Sequence, residues 1–194
     1  MAQRFSGYER RDREYYPTPE WVTRALLDHI GTGPRQIWEP ACGNGEMALV
    51  MRERGHSVFM SDIEPGARVK ALDALAFDFL ARDRAPVWPE HITDIITNPP
   101  YGLGGRMALG FIIRSLELTR ERGGLVAMLL KDNYDSARGR KAIFRDNPAW
   151  SMKLVLMRRI VWFESDSGHG PSENHAWYIW DWKHSGPARL FYAD

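Results

Sequence analysis

The chain has 194 residues, a net charge of +1 and a single cysteine, Cys42. A composition of 44% hydrophobic and 26% charged residues is that of one globular domain with a substantial core. It holds no run near the ~20 apolar residues of a membrane span and no apolar leader, and it excludes an intrachain disulfide or a cysteine-rich zinc site. A cytoplasmic, membrane-free protein is therefore expected, as a single domain over residues 1–194. Residues 1–16, polar and aromatic-rich, read as a flexible arm.

Pro17-Thr18-Pro19 opens a helix over 20–30, with Thr18 as N-cap, Pro19 at the first helical position and Trp21, Val22, Ala25, Leu26 and Ile30 on the apolar face. A strand over 36–39 runs into the loop Pro40-Ala41-Cys42-Gly43-Asn44-Gly45, and a helix over 46–54 closes at Gly55. A second strand, 57–61, ends at Asp62. A helix is expected over 66–72 and a short strand or edge at Phe77-Asp78-Phe79-Leu80. The buried strand 92–97 leads into Asn98-Pro99-Pro100-Tyr101, followed by a helix over 106–121 and a strong strand over 125–130. A helix over 137–145 and two strands, 152–157 and 175–182, complete the chain. Strands alternating with helices predict an α/β fold, a doubly wound and mainly parallel sheet of seven strands. The last two strands lack an intervening helix and are expected as an antiparallel edge hairpin.

The chemistry gathers at strand ends, where open α/β sheets bind ligands. The glycine loop is not a dinucleotide fingerprint, because the third glycine is missing, nor a phosphate loop, because Gly-Lys-Ser/Thr is absent. Glu39 at its entrance repels phosphate and welcomes a cation. Asp62 is placed to accept bonds from ribose hydroxyls, and Asp78 with Phe79 to flank an adenine; a helix cap and a turn are the structural alternatives for the two acids. Acids at successive strand ends suit the ammonium, sulfonium, ribose and adenine of S-adenosylmethionine. Asn98 offers a carbonyl acceptor, Pro99 and Pro100 present backbone carbonyls without N–H donors, and Tyr101 offers a flat face. His169 and His175 have no metal-binding spacing, so no metal is expected. Trp177, Trp180 and Trp182 read as core or interface packing.

In this order the motifs resemble the S-adenosylmethionine-dependent amino-methyltransferases, most of all the DNA adenine-N6 methyltransferases, with a Rossmann-like class I fold. The resemblance implies that residues 17–22, with Thr18 and Pro19, hold the methionine end of the cofactor. It implies that Glu39, Ala41, Gly43 and Gly45 form the glycine motif, and that Asp62 with Ile63, and Asp78 with Phe79, take ribose and adenine. Asn98, Pro99, Pro100 and Tyr101 would then be catalytic, with Asn98 also bordering the cofactor. An aromatic before the last strand, Trp162 or Phe163, would stack on the base, extension of the preceding strand being the alternative. Lys131, Asn133, Tyr134, Arg138 and Arg140 would lie along the substrate. RNA adenine or guanine amines and protein glutamine are alternative substrates, and a silent cofactor-binding subunit is the non-enzymatic one. The family's separate target-recognition domain has no counterpart, so short loops, the N-terminal arm, a homodimer or a specificity partner is expected to supply recognition of nucleic acid, DNA first.

Overall fold

The computed structural model describes residues 16–81, 89–162 and 173–194. Its elements are α1 (Glu20–Leu27), β1 (Gln36–Glu39), α2 (Glu46–Glu53), β2 (Ser57–Asp62), α3 (Ala67–Lys70), β3 (Leu75–Ala76), β4 (Asp94–Thr97), α4 (Arg106–Arg120), β5 (Leu125–Lys131), β6 (Trp150–Leu156), β7 (His175–Asp181) and β8 (Arg189–Ala193). The sheet runs in the order β3-β2-β1-β4-β5-β7-β6-β8. Only β7 is antiparallel to its neighbours, β5 and β6.

The expected seven strands become eight. The tail pairs parallel to β6, Met152 opposite Arg189 through Leu156 opposite Ala193, so the hairpin is not itself the edge. Nothing in the pattern announced β8: its apolar residues Leu190, Phe191 and Tyr192 do not alternate with polar ones, and four of its five residues are exposed. The helix expected over 137–145 is instead a series of short turns, including a 3-10 turn at Arg138–Arg140. Ile143 and Phe144 still reach the core from there. The strand expected at 77–80 is Leu75–Ala76, and Phe77 to Leu80 turn away from it. The helix expected over 66–72 is the four-residue α3.

Strand alternation sends side chains to two cores. Ile37, Ile96, Ala127, Leu129, Trp177 and Ile179 face α1 and α2, with Val22, Leu26, Ala48 and Met51. Trp38, Ile95, Val126, Met128, Tyr178 and Trp180 face α4, with Ala108, Phe111 and Ile112. Because β5 is covered on both sides, Leu125 to Leu130 is buried throughout, as a central strand requires. Each such fully buried aliphatic side chain contributes about 1.5–3 kcal/mol. Trp177 adds a buried hydrogen bond, its Nε1–H donating to Val22 O at 2.9 Å, which ties α1 to the sheet.

β1 is followed by a helix on one face and its neighbour β4 by a helix on the other. This reversal opens a crevice beyond the carboxyl ends of the two strands. The opposite end is closed by Asp94, whose carboxylate pairs with Arg35 at 2.7 Å and accepts Leu125 N–H at 3.0 Å.

Candidate functional site

A cleft of about 950 Å³ occupies that crevice. Its lining includes Thr18, Glu39, Ala41, Gly43, Asp62, Ile63, Asp78, Phe79, Asn98, Pro99, Pro100, Tyr101, Lys131 and Trp162. The fold therefore brings together segments separated by more than a hundred residues. Pro19 and Gly45 lie behind the wall; Phe163 and His169 fall outside the described residues.

One half of the cleft is built from backbone. Cys42 N–H donates to Ser61 O at 3.0 Å, Gly45 N–H to Cys42 O at 2.7 Å, and Gly66 N–H to Gly43 O at 2.8 Å. Gly45 has φ +89°, and a Cβ there would stand 2.4 Å from Val69 Cγ1, so the close turn requires glycine. The Asp62 carboxylate accepts Gly43 N–H at 2.8 Å and Glu64 N–H at 2.9 Å. It thus clamps the loop while lining the pocket, and desolvation raises its pKa despite those bonds. The helix cap expected as its alternative role is not formed, because Gly66 stands at the α3 N-cap and no side chain caps it. Asp78 similarly closes a turn on Leu80 N–H at 2.9 Å. Phe79 is 1% exposed, with its ring 5.1 Å from Trp38 and 4.8 Å from Phe111, so it is a core residue that reaches the cleft wall. Ile63, 69% exposed, is the apolar side chain open at this end.

Glu39 is 2% exposed, and its Oε2 has no hydrogen-bond partner. Burial, then repulsion from Glu46 and Asp62, raises its pKa well above the usual carboxylate value. A buried acid held beside two others suits a cationic ligand, which would favour its charged form. Cys42 is buried next to it, and desolvation pushes its thiol pKa up, so it packs as a small unreactive group.

The other half is built from side chains. Asn98 Nδ2 donates to Thr18 Oγ1 at 3.1 Å. Thr18 therefore does not cap α1: Pro19 occupies the N-cap position, no side chain caps the helix, and the hydroxyl turns to the site instead. With its amide nitrogen engaged, Asn98 presents Oδ1 as an acceptor that has no hydrogen-bond partner among the described residues. Tyr101 O accepts Met107 N–H at 3.1 Å, which fixes the step from the motif into α4. The Tyr101 hydroxyl is buried, which raises its pKa well above the usual phenol value. Lys131 lies with its ammonium 5.9 Å from the Tyr101 ring and is ion-paired to Glu173.

Trp162 is half-buried, edge-on to His175 at 5.3 Å and to Tyr16 at 5.6 Å. His175 is 4% exposed, its Nδ1 has no partner, and desolvation lowers its pKa to about 4. Tyr134 is buried beneath Arg140, whose guanidinium lies 3.5 Å from its ring centre and donates to Tyr134 O. Asn133 and Arg138 are exposed. Sequence reasoning missed Tyr16, Glu173 and His175 as site residues. Only the aromatic-rich run before Pro17 hinted at Tyr16, and Glu173 has no motif around it. Among the described residues no cluster of three or more His, Cys, Asp or Glu side chains is placed to hold a metal ion, and no helix is long and apolar enough to cross a membrane.

No protein-family model matches the sequence, and no curated protein matches it. Solved structures do. A candidate modification subunit of a type I restriction enzyme from Vibrio vulnificus is similar at TM-score 0.62 and 15% identity, over 92% of this chain and 47% of that one. A candidate class I S-adenosylmethionine-dependent methyltransferase from Listeria monocytogenes is similar at 0.61 and 16%, over 89% and 62%. The methyltransferase subunit of a type I restriction-modification system from Streptococcus thermophilus is similar at 0.60 and 13%, over 88% and 45%. The chain thus spans 45–62% of the length of these three proteins. At these identities the likeness concerns the fold, and the fold is that of the class I methyltransferases.

Proposed function

We propose that the protein transfers a methyl group from S-adenosylmethionine to an exocyclic amino nitrogen, and that the substrate is adenine N6 in DNA. The observation that carries this reading is the Asn98 amide, committed through Nδ2 to Thr18 and Tyr16, with its carbonyl oxygen unpartnered among the described residues in a cleft continuous with the glycine loop.

The residues present fit the cofactor. The partnerless Oε2 of buried Glu39, with Glu46 and Asp62 close by, suits a ligand carrying an ammonium and a sulfonium. The tight turn at Gly45 shapes the glycine loop from behind the cleft wall. Glu39 would hold the cationic end, Asp62 the ribose hydroxyls, and Ile63 with Asp78 the adenine end. S-adenosylmethionine would supply a methyl group made electrophilic by its bond to positive sulfur.

The chain's own residues handle the amine. An exocyclic adenine amine is a weak nucleophile because its lone pair is delocalised into the ring. Asn98 Oδ1 and the Pro99 carbonyl each accept one N–H, which favours a pyramidal nitrogen and concentrates the lone pair. Pro99 and Pro100 bring no competing donor. As the nitrogen becomes positive, the two fixed carbonyl dipoles stabilise it without reorganising. Its surplus proton leaves to water at the cleft mouth. Tyr101 and Trp162 supply aromatic surface for the base, and Tyr16 with His175 keeps the Trp162 ring in place.

Two observations favour DNA. The structural neighbours include subunits of type I restriction-modification enzymes. Arg106 and Arg138, exposed near the cleft, have no acidic partner among the described residues and suit phosphates. Sequence recognition would fall to a second copy of the chain or to a specificity partner. The test is incubation with methyl-labelled cofactor and unmethylated DNA, RNA or protein, followed by digestion and mass identification of the labelled residue. Label in N6-methyl-2′-deoxyadenosine of DNA is expected. Label in glutamine or in RNA alone overturns the substrate, and cofactor binding without transfer to any pool overturns the enzyme.

A further inference from the structure

Leu103 is 77% exposed, the most exposed large hydrophobic side chain among the described residues. A single exposed leucine is ordinary on a protein surface, so its surroundings decide its meaning. It directly follows the Asn98-Pro99-Pro100-Tyr101 segment in Gly102-Leu103-Gly104-Gly105, whose glycines have φ of +63°, +64° and +77°. Gly102, Gly104 and Gly105 line the cleft, whereas Leu103 does not: it stands on the rim, in solvent. Left-handed backbone at three of four positions is a conformation that only glycine adopts cheaply. The loop thus holds one apolar side chain out in water at the lip of the site.

The lip is braced from behind. Gly105 O accepts the Tyr134 hydroxyl at 3.4 Å, and a Cβ on Gly105 would meet the Arg140 guanidinium at 3.3 Å. The turn that carries Arg138 and Arg140 therefore packs against the glycine loop. Arg106 follows three residues after Leu103 and is exposed; neither it nor Arg138 has an ion-pair partner among the described residues. Met107, 42% exposed, extends the apolar point.

We infer that Leu103 is a wedge for duplex DNA: it enters the base stack beside the target and fills the space left when that adenine turns out into the cleft. This rests on the DNA reading above. A base within a duplex reaches such a cleft only by leaving the stack, at a cost in stacking and pairing. An apolar side chain inserted at the step offsets that cost by occupying the gap with hydrocarbon instead of water. Arg106 and Arg138 then seat the flanking phosphates, which set position without reading sequence. The wedge is needed only where there is a stack to open, so it acts as a positioning residue for duplex substrates and is idle on single strands.

The test compares Leu103→Ala and Leu103→Phe with wild type on a duplex the protein methylates and on its isolated target strand, with 2-aminopurine fluorescence at the target position as the readout of extrusion. Leu103→Ala is expected to lower kcat/KM on the duplex by about tenfold or more, to quench the 2-aminopurine signal, and to leave the single-strand rate within about twofold. Leu103→Phe, which keeps an apolar side chain at the position, retains duplex activity. Loss on both substrates alike, or on neither, overturns the wedge while the DNA reading stands. Absence of transfer to DNA of either form by wild type overturns the DNA reading and the wedge with it.

Discussion

The two halves of the cleft are made differently. Over β1 and β2 the wall is backbone: three main-chain hydrogen bonds, a glycine in the left-handed region and a carboxylate clamp on Gly43 and Glu64. Over β4, β5 and β7 it is side chains that reach across the fold, Asn98 to Thr18, Lys131 to Glu173, and Tyr16 to Trp162 to His175. A backbone wall gives a fixed shape whose loss costs folding as well as binding. A side-chain wall sits on a sheet that is already buried, so its residues can be changed with little effect on the fold. Substitutions on the two sides are therefore expected to fail in different ways, turnover on one side and stability on the other.

The sharpest separation is expected at Asn98. On the proposed function, Asn98→Ala removes a side-chain carbonyl that accepts from the amine, and loss of one preorganised polar group at a reacting centre costs about 100- to 1,000-fold in turnover. The substitution also deletes the hydrogen bonds of Nδ2 to Thr18 Oγ1 and, longer at 3.5 Å, to Tyr16 O. Cofactor affinity by calorimetry is therefore expected to change by only a few-fold, about 1 kcal/mol or less. Equal losses of affinity and turnover would place Asn98 in the backbone-built half and erase the contrast.

The reciprocal failure is expected at Gly45. Alanine there must adopt φ +89° and push against Val69. The left-handed backbone costs about 1–2 kcal/mol, and the 2.4 Å approach to Val69 adds to it. Thermal melting is expected to fall by about 2–4 °C for each kcal/mol, with cofactor affinity falling in parallel. Adding Val69→Ala relieves the clash but not the dihedral, so the double variant should recover part of the loss. Full recovery would mean that backbone conformation is unimportant at this turn.

The same contrast explains what the sequence made legible. The glycine loop, Glu39, Asp62 and the Asn98 segment are each written in consecutive residues next to a buried strand, and all of them line or shape the cleft. Thr18 does line the cleft but was not legible in its local role: a partner 80 positions away overrides a helix cap. Phe79, expected to flank the ligand, does line the cleft, while its ring packs on Trp38 and Phe111 as part of the core, which the sequence did not announce. Glu173 pairs with Lys131 across 42 residues, an ion pair that exists only once β5 and β7 are aligned. At the outer edge, β8 carried no periodic signal because both its faces are largely exposed. What is local in the chain could be read; what depends on register across the sheet could not.

The smallest expected effect tests whether the backbone half pays in stability for its charge. Glu39 is buried, repelled by Glu46 and Asp62, and has an oxygen without a partner. Its folded-state pKa lies above the unfolded value of 4.5, so between the two the native state holds a proton that the unfolded chain has released. The stability linked to that proton is complete below the unfolded pKa and is lost as pH rises through the folded one. Glu39→Gln removes the titration and keeps the shape. The variant should melt higher than wild type at neutral pH, by about 1 kcal/mol or roughly 3 °C. The gap should close as pH falls toward 4.5. Cofactor affinity should move the other way, because the amide no longer attracts a cation. A variant less stable at neutral pH, or one that binds the cofactor as tightly as wild type, would show that the Glu39 charge serves the fold and not the ligand.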